Sequence, residues 1–205
     1  MRKGFKDRRQ SSFKRPTQYR IPSERILIVT EDEKSSFFYL QDLVYQLRLT
    51  QVRVCASKRS TPLEVLKTAK RISKKDGNFD HVYIVIDRDT HEAFEEAKKT
   101  CIQWGFHWIP SYPCFEYWLL LHFRFSAKPY AMSHTSPCEQ VISDLEKKMN
   151  GYQKSQKNLL KKAWANLEQA KINAARRFAE TQAEYNPNPS THFHLLVKAL
   201  QNLAQ

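Results

Sequence analysis

His81-Val82-Tyr83-Ile84-Val85-Ile86-Asp87-Arg88-Asp89 decides how this chain is read. Five apolar residues follow one another, four of them β-branched, and the run stops at two aspartates one residue apart. An unbroken apolar run of this length predicts a parallel strand covered on both faces. In open α/β sheets ligands bind at the carboxyl ends of the strands. Carboxylates at i and i+2 can converge there on one hard cation. A polar loop capping the next helix would give Asp89 the same surroundings.

Upstream, Arg25-Ile26-Leu27-Ile28-Val29-Thr30 predicts a first strand, and Glu31 follows it directly. Phe37, Phe38, Leu40, Leu43, Val44 and Leu47 then recur at helical spacing over about four turns. Val52–Ala56 predicts a second strand. Thr61-Pro62-Leu63-Glu64 has the form of a capping box with proline at the first helical position, opening a helix to about Lys75. After the Asp-x-Asp strand, Thr90 is placed to cap a helix carrying Phe94, Ala97, Cys101 and Ile102. Phe106–Ile109 predicts a fourth strand, closed by Pro110. Strands alternating with helices predict a parallel sheet of about four strands with right-handed crossovers and helices on both faces. If the strands ending at Glu31 and Asp87 are neighbours, Glu31, Asp87 and Asp89 meet above the sheet.

Beyond Tyr112 the pattern is helical: Glu116–Phe123 as a buried helix, Glu139–Asn150 and Lys157–Glu184 as amphipathic ones. A last helix, capped by Thr191, runs to about Leu203. The expected organisation is a basic arm over residues 1–22, an α/β core over 23–125, and a helical extension packed on it over 126–205.

The 205 residues carry a formal net charge of +13, which favours a polyanionic partner, nucleic acid first and an anionic membrane second. Nine lysines or arginines fall in residues 2–25 against Asp7 and Glu24. That predicts a disordered arm able to contact phosphates irrespective of sequence. Lys154, Lys157, Lys161 and Lys162 lie close together with Trp164 after them, a pattern suited to phosphate contact plus stacking, or to a solvated helix face. Lys34 beside Glu31 falls near the same phosphates, and Arg88 falls between the two aspartates. Cys55, Cys101, Cys114 and Cys138 form no Cys-x-x-Cys pair and read as inert thiols of a reducing cytoplasm. His192 and His194, two residues apart, do not share a helix face, which argues against zinc there. No apolar run approaches a membrane span, and no leader opens the chain.

Strand-Glu-x-x-Lys followed by a strand ending in Asp-x-Asp resembles the Toprim domain of topoisomerases, primases and OLD-type nucleases. Ile28-Val29-Thr30-Glu31, Phe37-Phe38-Tyr39, Ile86-Asp87-Arg88-Asp89 and Pro113-Cys114-Phe115-Glu116-Tyr117-Trp118-Leu119-Leu120-Leu121-His122-Phe123 together resemble the RloB-like (AbiLii-like) proteins of phage defence. The resemblance runs from about residue 23 to the C-terminus, where Asn188-Pro189-Ser190-Thr191 also fits. It departs at Asp32, where such families commonly carry glycine. It implies Glu31 as general acid or base and Asp87 and Asp89 as ligands of Mg²⁺ or Mn²⁺, with Glu31 completing the metal set. It adds Glu116 and His122 as family positions, Glu116 being counted with the catalytic set. A carboxylate that caps the start of a helix is the plainer reading of Glu116, and a hydrogen-bonded core histidine that of His122.

The expected activity is metal-dependent cleavage of DNA or of a structured RNA such as tRNA, in anti-phage defence. The resemblance implies control by an ABC- or SMC-like ATPase, since this chain has no Gly-x-x-x-x-Gly-Lys-Ser/Thr loop. A nucleic-acid-binding adaptor that has lost the chemistry is the alternative, favoured by Asp32. A topoisomerase or primase fragment lacks support, because no transesterifying tyrosine domain or zinc module is evident. The sequence leaves a homo-oligomer open.

Overall fold

The computed structural model describes residues 24–31, 33–58, 61–77, 79–88, 93–182, 184 and 187–205. The basic arm, Asp32, Asp89 and Thr90 lie outside the described residues. The elements in chain order are β1 (Ile26–Thr30), α1 (Ser35–Gln46), β2 (Val52–Ala56), α2 (Pro62–Asp76) and β3 (His81–Asp87). They continue with α3 (Phe94–Gln103), β4 (His107–Tyr112), α4 (Glu116–Leu121), α5 (Pro137–Glu146) and α6 (Leu159–Ala163). A 3-10 turn (Trp164–Asn166) leads into α7 (Leu167–Glu180), then β5 (Ser190–Thr191) and α8 (Phe193–Leu203).

The sheet order is β2-β1-β3-β4-β5. The first three pairings are parallel, as the alternation of strands and helices requires, and β5 runs antiparallel to β4. Side chains alternate across a strand, and this alternation divides β1 and β3 between two cores. Ile26, Ile28, Tyr83 and Val85 face a core shared with α1, α4, α7 and α8. Leu27, Val29, Val82, Ile84 and Ile86 face the core under α2 and α3. Both faces are covered, so neither strand shows polar alternation.

The α4 helix is enclosed all round. Trp118, Leu119, Leu120 and Leu121 have no exposed surface, and burial of each leucine contributes about 1.5–3 kcal/mol. The C-terminal third belongs to the same core, through Phe193, Leu196, Val197 and Leu200 of α8 and through β5. No helix among the described residues is long and apolar enough to cross a membrane.

Several elements differ from the sequence expectation. The sheet has five strands rather than four, because a strand of two residues is too short to show a period. Pro110 does not close β4, which continues to Tyr112. The Pro110 carbonyl accepts from the His192 amide on the β5 side, so its missing donor falls where β5 has already ended and the β3 ladder is untouched. Lys157–Glu184 is not one helix: Asn158 takes a left-handed φ of 59° before α6, and the 3-10 turn separates α6 from α7. Buried Leu159, Leu160, Ala163, Leu167, Ala170 and Ala174 keep helical spacing across the break, which hides it in the sequence. Thr61 is the N-cap of α2, but its side chain makes no capping hydrogen bond. The complete capping box is Ser136–Glu139 at α5, which therefore begins at Pro137 rather than Glu139 and ends at Glu146. Thr191 does not cap α8, whose N-cap is His192, although its hydroxyl accepts from the Phe193 amide.

Candidate functional site

In β1 and β3 the registered pair Thr30–Val85 leaves both strands ending at the same edge of the sheet. The chain order turns outward in opposite directions from this pair, toward β2 on one side and β4 on the other. That is the switch point at which open α/β sheets form a crevice. Glu31 leaves β1 there, and Asp87 closes β3.

Asp87 lies on the α4 side of the sheet, where its Oδ1 accepts from the Phe115 amide at 2.9 Å. The amide at the start of α4 is thus capped by Asp87. Burial raises the Asp87 carboxyl well above the usual carboxylate range, and the charges of Glu31, Glu116 and Cys138 push the same way.

Glu116 opens α4 and is almost completely buried, with 2% of its surface exposed. The Tyr152 hydroxyl donates to its Oε1 at 2.7 Å. Ser35 Oγ, from the first turn of α1, lies 2.9 Å from the same oxygen and 2.7 Å from the Tyr152 oxygen. The other carboxylate oxygen, Oε2, faces Cys138 Sγ at 3.7 Å and Lys154 Nζ at 4.0 Å. Burial alone would raise the Glu116 carboxyl, but Lys154, Tyr152 and Ser35 outweigh it and hold it below its ordinary value. Burial likewise works against the Lys154 ammonium, yet Glu116 and the neighbouring sulfurs hold it above the ordinary lysine value. Glu116, buried, and Lys154, 44% exposed, therefore form an ion pair at neutral pH whose charges both reach the Asp87 carboxyl.

Cys114, Glu116 and Cys138 form a group whose ligand atoms all lie within 4.8 Å of one another and which can hold a metal ion. Cys114 precedes α4 and Cys138 lies in the first turn of α5, so a separation of 24 residues conceals the pairing in the sequence. Ser35 is a second contributor with no local sequence mark, since its partners Glu116 and Tyr152 are 81 and 117 positions away.

Glu31, Asp87, Glu116 and Lys154 come together; Asp89 lies outside the described residues. Arg88 is on the other face, its guanidinium 5.5 Å and 4.9 Å from the ring centres of Phe94 and Tyr112. Lys34 is exposed at the N-cap of α1. Lys157 lies 5.8 Å above the Phe38 ring, and Lys161 is exposed on α6. Beside the switch point a groove of about 870 Å³ runs between β2 and α2. It is lined by Arg53, Lys58, Lys67, Arg71 and Lys75 and by Glu33, Glu64 and Asp76, with Arg53 paired to Asp76 and Lys67 to Glu64. His122 is buried below the site. Its Nδ1 faces only an acceptor, the Trp118 carbonyl at 3.0 Å, so that nitrogen carries the proton. Its Nε2 then accepts from the Tyr39 hydroxyl at 3.1 Å. Burial pulls the imidazole down to about 4, so it is neutral at physiological pH.

A family model described as RloB-like protein matches residues 26–200. The chain belongs to the RloB-like family. The matched span contains every site residue named above from Glu31 to Lys154. No curated protein and no solved structure matches the chain.

Proposed function

We propose that this RloB-like protein is a metal-dependent nuclease of the Toprim type, acting in anti-phage (AbiLii-like) defence on DNA or a structured RNA such as tRNA. The observation that carries the reading is the adjacency of β1 and β3, which brings Glu31 and Asp87 to one crevice at the switch point. Hard carboxylate oxygens gathered at a buried position suit Mg²⁺ or Mn²⁺, because a cation offsets both the burial and the neighbouring negative charge that oppose ionisation of Asp87. Asp87 and Asp89, with Glu31, are assigned to the metal, which when bound supplies charge stabilisation to the phosphoryl oxygens. Glu31 moves the proton. Glu116 adds its buried charge and, through Lys154, fixes one cation beside the crevice. Lys34, Lys154, Lys157 and Lys161 are assigned to phosphates, and Lys58, Arg71 and Lys75 in the groove along α2 extend that path. Arg88 is assigned with them but reaches the strand from the opposite face. An ABC- or SMC-like ATPase is the proposed controlling partner, and assembly as a homo-oligomer is compatible with the reading.

The test is incubation of the full chain with labelled tRNA, single-stranded DNA and duplex DNA in Mg²⁺, Mn²⁺ or EDTA, with and without a co-purifying ATPase. Cleavage is expected with metal only. Asp87→Asn, Asp89→Asn and Glu31→Gln should abolish it while leaving nucleic-acid binding intact; Glu31→Gln removes proton transfer worth about 10²- to 10⁴-fold in rate and should weaken metal affinity less than either aspartate change does. Binding without cleavage under every condition would establish the adaptor reading instead.

A further inference from the structure

The metal assigned above is a hard cation at the strand ends, and it leaves the sulfur-bearing group beside it unused. We propose that Cys114, Cys138 and Glu116 bind a zinc-class cation, with Lys154 as a built-in competitor for the same place. Zinc takes thiolate and carboxylate ligands in tetrahedral array, at about 2.3 Å to sulfur and about 2.0 Å to oxygen, which sets a ligand–ligand edge of about 3.5 Å between sulfur and oxygen. Cys138 Sγ and Glu116 Oε2 are 3.7 Å apart. All three ligand atoms fall within 4.8 Å of one another, so small shifts bring them onto one ion.

A second feature prepares the site. Both hydroxyls that hold Glu116, from Ser35 and Tyr152, engage Oε1, and this leaves Oε2 turned toward Cys138 Sγ. Outer partners of this kind fix the orientation of metal ligands. The place a cation would take is claimed by the Lys154 ammonium, 3.4 Å from Cys138 Sγ and 4.0 Å from Glu116 Oε2. That side chain is 44% exposed, so it can withdraw to solvent and leave a fourth position open to water. Binding then exchanges one cation for another: zinc enters, each thiol gives up its proton to solvent, and Lys154 is released toward the surface. The bound ion ties the turn before α4 to the first turn of α5.

The test is a titration of the full chain, reduced and stripped of metal by a chelator, with Co²⁺ as a spectroscopic probe and Zn²⁺ as its competitor. One equivalent of Co²⁺ should give the thiolate-to-cobalt charge-transfer band and the visible bands of a four-coordinate ion, and Zn²⁺ should bleach both. Cys138→Ser, at a half-buried position, should weaken binding by about 100-fold and, at saturating Co²⁺, cut the charge-transfer intensity per bound ion to about half, since Cys114 remains. Lys154→Ala should tighten binding by about tenfold, because a competing charge is gone; a lysine that only solvates the surface would leave the affinity unchanged. Absence of a thiolate band in the wild-type chain, or an affinity and band intensity unchanged in Cys138→Ser, would overturn the proposal. The readout needs no cleavage, so its failure is distinct from failure of the nuclease reading, which rests on Glu31 and Asp87.

Discussion

Replacing His122 with phenylalanine isolates one buried imidazole and what it does to acid stability. In the fold its value is about 4 against an ordinary 6.5, because burial disfavours the charged ring. The unfolded chain therefore binds a proton that the folded chain refuses between pH 6.5 and 4. Stability attributable to His122 is complete above 6.5, falls as the pH drops through that window, and falls no further below about 4. A difference of about 2.5 units corresponds to about 3 kcal/mol lost across the window. Phenylalanine fills the space but leaves the Tyr39 hydroxyl without its acceptor, at a cost of about 1–3 kcal/mol near neutral pH. Urea unfolding at several pH values across the window should thus find the variant less stable at neutral pH and less sensitive to acid. His192, also held near 4 by burial, and Asp87, whose raised carboxyl acts with the opposite sign, are present in both proteins and cancel in the difference. A wild-type-minus-variant difference that stays flat from pH 6.5 to 4 would refute the assignment, and would mean that His122 titrates near its ordinary value, as a catalytic histidine would.

Two further outcomes are expected. Asp144 is 7% exposed and bound by Lys147, Lys128 and Arg124 at 2.8, 3.2 and 3.3 Å. Burial opposes its ionisation, but the bonds from Lys147, Lys128 and Tyr130 hold its carboxyl down to about 2. Asp144→Asn should therefore cost about 1–3 kcal/mol at neutral pH, seen as a drop in Tm of about 2–4 °C per kcal/mol. The stability that the wild type loses between about pH 4 and 2 should be absent from the variant. Deleting residues 1–20 should flatten the salt dependence of nucleic-acid affinity, because each lost phosphate contact lowers the slope of log K against log salt by about 0.9 for duplex DNA; an unchanged slope would show that the arm makes no phosphate contact.

The neighbouring placement of β1 and β3 was legible because each apolar run ends abruptly in a carboxylate, and a run buried on both faces has few other homes than the middle of a parallel sheet. The partners of the site were not legible. Ser35, Tyr152, Cys138 and Lys154 come from the edges of α1 and α5 and from the segment before α6, and no spacing rule links positions 35, 116, 138 and 152. What the Pro113–Phe123 block encodes becomes plain only with its surroundings. A six-residue helix enclosed on all sides must be apolar at nearly every position, and Tyr117, Trp118, Leu119, Leu120 and Leu121 meet that demand. Two polar residues interrupt it, and each has its own receptors: Glu116 has Ser35 and Tyr152, and His122 has Tyr39 and the Trp118 carbonyl. The two differ in what lies beyond those receptors. His122 is closed in by the rings of Tyr39, Trp118 and Phe123, so its hydrogen bonds end in the core and its role is to lock α4 to α1. Glu116 has one oxygen left over, turned toward the Cys138 thiol and the Lys154 ammonium, with Asp87 close enough to feel its charge. A core that needed only to be satisfied would have closed that side too, and the open oxygen is why the chemistry is sought at Glu116 and its neighbours rather than at His122.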